Sequence, residues 1–412
     1  MRGGCGGRAL RVVRDFNFIP RQPERIVSGR AFIQRVLSFS FLAVALAFSC
    51  VPADAADTIK VGAIVSATGP AAFLGDPEEK TLHAYVDSIN ASGGIAGRKI
   101  ELFIYDDSSD AAKANSFAKR LIQQDNVDFI IGASTTGSTM AFIQLVETSK
   151  VPMLALGAGS VIVEPIRKFV FRMPHSDRLA AQKVLDHMKR HGITSFALLS
   201  DTGGYGKSGR NETRKMAASM GLTIPVDETY GERDTDMTPL LTHVKQSDAQ
   251  AILMFGTGQA PAIIAKNSRQ LGMTIPLYAS HGQASYEFIR LAGAAGEGML
   301  VPSPALFVAD QLPDSDPQKA ICLAYKKDFE SRFKLDVSTF GGYAYDGLMM
   351  GLDAITRAGS LDKEKVRDAI EATKGFVGIS GIYNMSPGDH GGLDESALRM
   401  VQIKDGKFVE IK

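Results

Sequence analysis

From Asp57 onward the chain alternates short β-branched, apolar runs with longer segments whose apolar residues recur every three or four positions. Strands are expected at 59–65, 99–105, 127–131, 151–155, 195–199, 223–229, 251–255 and 277–279, and helices at 77–90, 111–124, 138–149, 178–190, 207–220 and 239–246. A helix between successive strands forces those strands parallel and covers both faces of the sheet. Run through twice, the pattern predicts an α/β protein of two doubly wound parallel-sheet lobes.

The rhythm breaks where Pro174 stops the strand-like FVFRM run, and again where Pro302 and Pro304 bracket the chain. Three helical segments (317–333, 344–358, 363–374) and a strand pair over 398–411, turned at Asp405-Gly406, complete it. The expected division is an N-terminal extension and signal over 1–55, a first lobe of 56–174 plus 304–375, and a second of 175–303 plus 376–412. The chain then crosses between lobes three times, near 174, 303 and 376. Such crossings form a hinge, and the cleft between the lobes is lined by the carboxyl ends of both sheets, where open parallel sheets bind ligands.

Charge separates the beginning of the chain from the rest. Residues 1–55 carry eight Arg against Asp15, Glu24 and Asp54, a net +5, so a chain of total charge +1 has a body of −4. An acidic body without Trp excludes a nucleic-acid binder or an aromatic stacking platform. Arg30 and Arg35 precede an uncharged apolar run from Val36 to Val51 and a small-x-small Ala53-Asp54-Ala55, the pattern of a cleavable export signal. The run is shorter than the ~20 residues of a membrane span and is closed by Pro52 and Asp54. A lipoprotein at Cys50 is the less favoured alternative, because Ala47 and Phe48 fit the required small-residue box poorly. The stretch ahead of the signal is longer than export needs, and a translation start near Val27 would trim it. Cleavage after Ala55 leaves Cys322 as the one thiol, so neither a disulfide nor a cysteine metal cluster is expected, and the body is held by its core.

Catalytic signatures are weak. There is no G-x-S-x-G elbow; the Gly203–Ser208 run lacks the first glycine of a phosphate loop, with Asp201 in its place; and His187 and His191 flank Met188 where a zinc protease has glutamate. His83, His175, His243, His281 and His390 are scattered, and Asp106-Asp107-Ser108-Ser109 reads as a helix-capping turn rather than a calcium site. No catalytic residue, metal or cofactor is expected. The stronger signals are hydroxyl- and glycine-rich loops that follow strands: Ser66–Pro70 then Phe73-Leu74-Gly75, Ala133–Thr139, and Gly157–Ser160. Helix-start N–H groups beside small hydroxyls suit a carboxylate.

The motifs Ile59–Gly62, Thr68-Gly69-Pro70, Asn90 with Gly93-Gly94-Ile95 and Gly97, Tyr105-Asp106-Asp107, Ile131-Gly132, Tyr205-Gly206 and Ala344-Tyr345-Asp346 together resemble the leucine/isoleucine/valine-binding family. These are type I periplasmic solute-binding proteins that feed ABC importers. The resemblance implies a hinged monomer in the periplasm, without enzymatic activity, that closes on a small molecule and docks on permease subunits. By motif it places ligand contacts at Leu74, Thr136, Ala158, Ser160, Tyr205, Gly258 and His281. It departs from the family where amino-acid binders carry an acidic residue to pair the ammonium and an aromatic; His281 and Gly258 stand there. The family's disulfide is absent, with Ser109 and Thr135 at its places. A hydrophobic or aromatic carboxylate is therefore the expected ligand, with a branched-chain amino acid as the alternative if Asp201 or Glu287 supplies the missing charge. A periplasmic ligand sensor and an exported enzyme are the other classes to be distinguished.

Overall fold

The computed structural model describes residues 58–231 and 233–411; the expected signal segment lies outside these. The first sheet consists of β1 (Ile59–Val65), β2 (Ile100–Asp106), β3 (Phe129–Gly132), β4 (Met153–Ala155) and β5 (Val170–Arg172), all parallel in the order β2-β1-β3-β4-β5. Helices α1 (Ala72–Ala91), α2 (Ala111–Arg120) and α3 (Thr136–Ser149) connect the first four strands. Strands β3 to β5 are buried along their whole length, as expected of continuous apolar runs covered on both faces.

After β5 the chain enters α4 (Asp177–Arg190) and a second βα series: β6 (Ala197–Asp201), α5 (Gly204–Met220), β7 (Asp227–Tyr230), α6 (Thr238–Lys245), β8 (Ile252–Phe255), α7 (Ala260–Gln270), β9 (Leu277–Ala279), α8 (Tyr286–Ala292) and β10 (Leu300–Ser303). Then follow α9 (Pro317–Phe333), α10 (Thr339–Ala358), α11 (Lys363–Glu371), a short antiparallel pair β11 (Phe376–Val377) and β12 (Ile382–Tyr383), and the ribbon β13 (Arg399–Lys404) and β14 (Lys407–Glu410). The second sheet has the order β14-β13-β10-β9-β8-β6-β7, parallel except for the C-terminal ribbon, which adds antiparallel at β10.

The cores locate the crossings. Met173 belongs to the core of the first sheet and Ala180 to that of the second; Val337 packs with the second and Phe340 with the first; Ala397 packs with the first and Leu398 with the second. Two crossings therefore fall at 338–339 and 397–398, not near 303 and 376. The Pro302-Pro304 bracket does not end the second lobe, because Pro302 lies inside β10 and the chain folds back to bury Leu306 and Phe307, then Cys322, Tyr325 and Phe329 of α9, against the second sheet. The hairpin β11–β12 stays with the first core because Asp346 of α10 accepts from the Ile379 and Ser380 N–H groups at 2.6 and 2.9 Å. Helix α1 begins at Ala72, five residues before Pro77, which forgoes one ladder bond inside the helix. Packing on α10 offsets that loss: a Cβ on Gly341 would lie 3.0 Å from the Pro77 carbonyl oxygen, so only glycine allows the approach.

Candidate functional site

The carboxyl ends of β3 and β6 bring two helix N-termini together across the gap between the sheets. Thr135 caps α3 by accepting from the Ser138 N–H at 3.0 Å, and Gly203 starts α5 without a capping side chain. A Cβ on Gly204 would stand 3.1 Å from the Gly137 nitrogen and 3.5 Å from the Thr136 Cβ. Two positive helix ends thus converge from opposite sheets on one rim. Thr136 is buried, and its Oγ1 accepts from the Gly159 N–H at 3.1 Å, which leaves the hydroxyl proton to donate. Half-buried Ala158 lies on the same loop and packs toward the second core.

Ser160 is differently engaged from the direct ligand contact expected of it. Its N–H lies 3.2 Å from an oxygen of Asp177, and its hydroxyl donates to the same carboxylate. Because α4 starts at Asp177, the chain supplies its own carboxylate at that point. Burial pushes this carboxyl up, while the hydroxyls of Ser160 and Ser208 and the Arg172 guanidinium pull it down. Since α4 packs with the second core, the bond from Ser160 to Asp177 joins the two halves.

Further along the gap, aromatic rings form a continuous chain. Phe73 meets Phe340 (centroids 5.8 Å apart), Phe340 meets Tyr343 (6.1 Å), Tyr343 meets His175 (6.0 Å), His175 meets His281 (6.0 Å), His281 meets Tyr205 (5.6 Å) and Tyr205 meets Phe255 (5.1 Å). The first three rings belong to the first core's elements and the last three to the second's. Gly258, with φ +74°, sits opposite Phe73, whose ring would lie 3.7 Å from an added Cβ. Leu74, the neighbour of Phe73, is buried in the first core. On a helix, adjacent residues point about 100° apart, so only one of the pair can face the gap.

The ring protons follow from the partners. His175 Nε2 lies 2.7 Å from the Ser380 carbonyl and 3.1 Å from that of Ala397, so it carries the proton; Nδ1 then accepts from the Tyr343 hydroxyl at 3.4 Å. His281 Nδ1 lies 3.1 Å from the Tyr205 hydroxyl, and the His175 ring meets the same ring edge-on. Burial holds His281 neutral, well below its ordinary value, and the nearby His175 and Arg172 push the same way. His281 thus has its Nδ1 engaged by Tyr205.

The chain matches the periplasmic binding protein family over residues 58–407. It belongs to that family. A leucine-, isoleucine-, valine-, threonine- and alanine-binding protein of Pseudomonas aeruginosa is 28% identical over 341 residues, covering 82% of this chain and 88% of that protein. A Leu/Ile/Val-binding protein homolog 1 of Brucella suis is 27% identical over 328 residues, 78% of this chain and 85% of the relative. The crystal structure of an extracellular ligand-binding receptor from Rhodopseudomonas palustris HaA2 superposes with a TM-score of 0.81 at 29% identity, covering 86% of this chain and all of that one. The fold is that of the type I periplasmic binding proteins, and the role is solute binding.

In this binding protein the two carboxylates that could pair an ammonium lie at the end of β6 and on α8. Asp201 accepts from the N–H groups of Gly203 and Thr257 at 2.8 and 3.1 Å, and Glu287 is exposed on α8. Three residues that sequence reasoning missed, His175, Asp177 and Tyr343, come to the site through contacts remote in sequence. Their only local signal is position, directly after β5 and in the first turns of α10. Among the described residues no cluster of three or more metal-ligating side chains occurs, and no helix is long and apolar enough to cross a membrane.

Two groups at the crossings titrate in opposite senses. Burial lowers His175 from its ordinary 6.5 to about 4, so the stability it contributes is present above pH 6.5 and lost as pH falls toward 4. Burial raises Asp346 from 3.8 to about 6, so its contribution is present below pH 3.8 and lost as pH rises through 6. Each is on the order of 3 kcal/mol. His175→Gln removes only the acid-side loss. Its urea unfolding free energy should fall by about 2 kcal/mol less than that of the unmodified protein between pH 6.5 and 4.5; parallel profiles would contradict a buried neutral imidazole.

Proposed function

We propose that the protein is the periplasmic substrate-binding component of an ABC importer, and that it captures a small hydrophobic or aromatic carboxylate between its two sheets and delivers it to membrane permease subunits. The observation that carries this reading is the meeting of the α3 and α5 N-termini at Thr136 and Gly204, a donor-rich, positive rim formed by both halves of the molecule. The hydrophobic or aromatic preference rests on the ring chain behind that rim, on the absence of a side chain at Gly258 facing Phe73, and on the engagement of Asp201 by backbone N–H groups. An ammonium enclosed there without a carboxylate would cost about 3–5 kcal/mol.

A second reading is favoured by one observation: the Pseudomonas aeruginosa relative is named for leucine, isoleucine, valine, threonine and alanine. Calorimetry with leucine, phenylalanine, benzoate and a hydroxycinnamate separates the two. Micromolar binding of the ring acids with none of leucine is the expected result, and the reverse restores the amino-acid reading. Thr136→Ala should weaken whichever ligand binds by about one to two decades, since a hydrogen bond to a charged group contributes about 1.5–3 kcal/mol. A loss under about threefold would leave Thr136 as part of a helix start and nothing more. Purified protein incubated with the same compounds should yield no product, and permease and ATPase genes beside its own would separate import from sensing.

A further inference from the structure

The site account leaves His175 without a role, although its ring is fully buried and every polar atom of it is used. Its position is unusual in one respect: it lies in the first crossing and reaches both of the others. Nε2 donates to Ala397, the last residue of the first core before the chain passes to Leu398 in the second. Nδ1 accepts from Tyr343, one turn into α10 after the crossing at 338–339. The same Nε2 also reaches Ser380, whose N–H is fixed by Asp346, and Tyr383 ties Met173 back to Asp346 through its hydroxyl, at 2.7 and 3.0 Å. One imidazole therefore spans all three connections between the sheets. It also meets the His281 ring of the second sheet edge-on, centroids 6.0 Å apart, and that ring is the one bonded to the Tyr205 hydroxyl.

We propose that His175 is the positioning residue of ligand capture: its side chain pins the three crossings at one point and, through its edge contact with the His281 ring, orients the His281–Tyr205 pair, so that lobe opening and disorder of that pair are one event. The pinning half stands without any ligand. The coupling half rests on the reading of the gap between the sheets as the ligand site.

The test compares two amides of the same chemistry and different reach. A glutamine at 175 extends its NH₂ to the place of Nε2 and can donate to the Ser380 and Ala397 carbonyls; an asparagine reaches only the place of Nδ1 and cannot. Spin labels at exposed Lys119 and Asn211, one on each half, in a chain whose three cysteines are replaced, report the distance between halves in ligand-free protein by pulsed dipolar spectroscopy. His175→Asn should raise the long-distance population about tenfold, the factor that about 1.4 kcal/mol makes, and His175→Gln should restore the original distribution. Nitrogen-15 imidazole spectra should show the Nε2–H form of His281 in the unmodified and Gln proteins and averaged tautomers in the Asn variant. Calorimetry with benzoate and with leucine, on variants shown to unfold cooperatively, should give an affinity loss that follows the long-distance population. Equal distance distributions in all three proteins would overturn the pinning half, and so would a Gln variant that opens like the Asn variant. An unchanged His281 spectrum in an opened Asn variant would overturn the coupling. If neither benzoate nor leucine binds any of the proteins, the ligand reading fails, while the distance and tautomer measurements still decide this one.

Discussion

Gly258→Phe should abolish ligand capture, with at least a hundredfold loss of affinity for any compound that the unmodified protein binds. The φ of +74° is left-handed, which costs a non-glycine residue about 1–2 kcal/mol. The larger effect is steric. The Cβ alone would lie in van der Waals contact with Phe73, 3.7 Å from its ring, so a whole phenyl group has to occupy the space that the ligand needs or hold the two halves apart. A hundredfold loss corresponds to about 2.7 kcal/mol, well within the cost of overfilling a closed site. The loss of fold stability should stay at about 1–2 kcal/mol, because Gly258 lies in the half-exposed loop before α7. Calorimetry gives the affinity, and small-angle scattering should show a radius of gyration that no longer shrinks on adding ligand. A variant that binds within threefold of the unmodified protein would place the ligand elsewhere.

The largest effect on stability is expected at Asp346. Its carboxylate is fully buried and accepts three hydrogen bonds, from the N–H groups of Ile379 and Ser380 and from the Tyr383 hydroxyl at 3.0 Å. Asp346→Ala leaves those donors without an acceptor in the interior, and each orphaned group costs about 1–3 kcal/mol. A total of about 3–5 kcal/mol at pH 7 is expected, allowing for partial rearrangement. Burial raises this carboxyl to about 6, so the stabilisation it provides grows as pH falls below 6. The loss caused by the substitution should accordingly be about 1 kcal/mol larger at pH 5 than at pH 7. Urea unfolding at the two pH values measures both quantities, and a loss that shrinks at pH 5 would contradict the direction assigned to this group.

Much of the architecture is legible because its signals are local. The run Ile59–Val65 is apolar but for Lys60 near its start and is bounded by polar residues, and it forms a strand over the same span. The Asp405-Gly406 turn between two alternating runs gives the terminal ribbon. The crossings are less legible because the side chains that set them lie far away. Pro302 reads as a stop, yet β10 accommodates it between β9 and β13. The residues after it look free to join either half, and only burial of Phe307 and Tyr325 decides the matter. The site divides in the same way. Thr136 and Tyr205 follow strands and start helices, so their placement can be read from the chain, whereas His175 is a lone histidine between Pro174 and Ser176 whose partners lie 168 and 222 residues away. Nothing near Ser160 in sequence announces that Asp177, 17 residues on, takes its N–H and hydroxyl.

The passage from Ala397 in one core to Leu398 in the other also bears on the order in which the molecule can be assembled. The first core is incomplete until Tyr383, Leu393 and Ala397 are in place, and the second until Leu398, Val401 and Ile403 are. A chain emerging from its N-terminus therefore cannot finish either half and then add the other, as a string of independent domains does. Both halves close on the last few dozen residues together, and the long loops to be closed make that step slow. Any truncation before Ala397 leaves two open cores rather than one finished lobe.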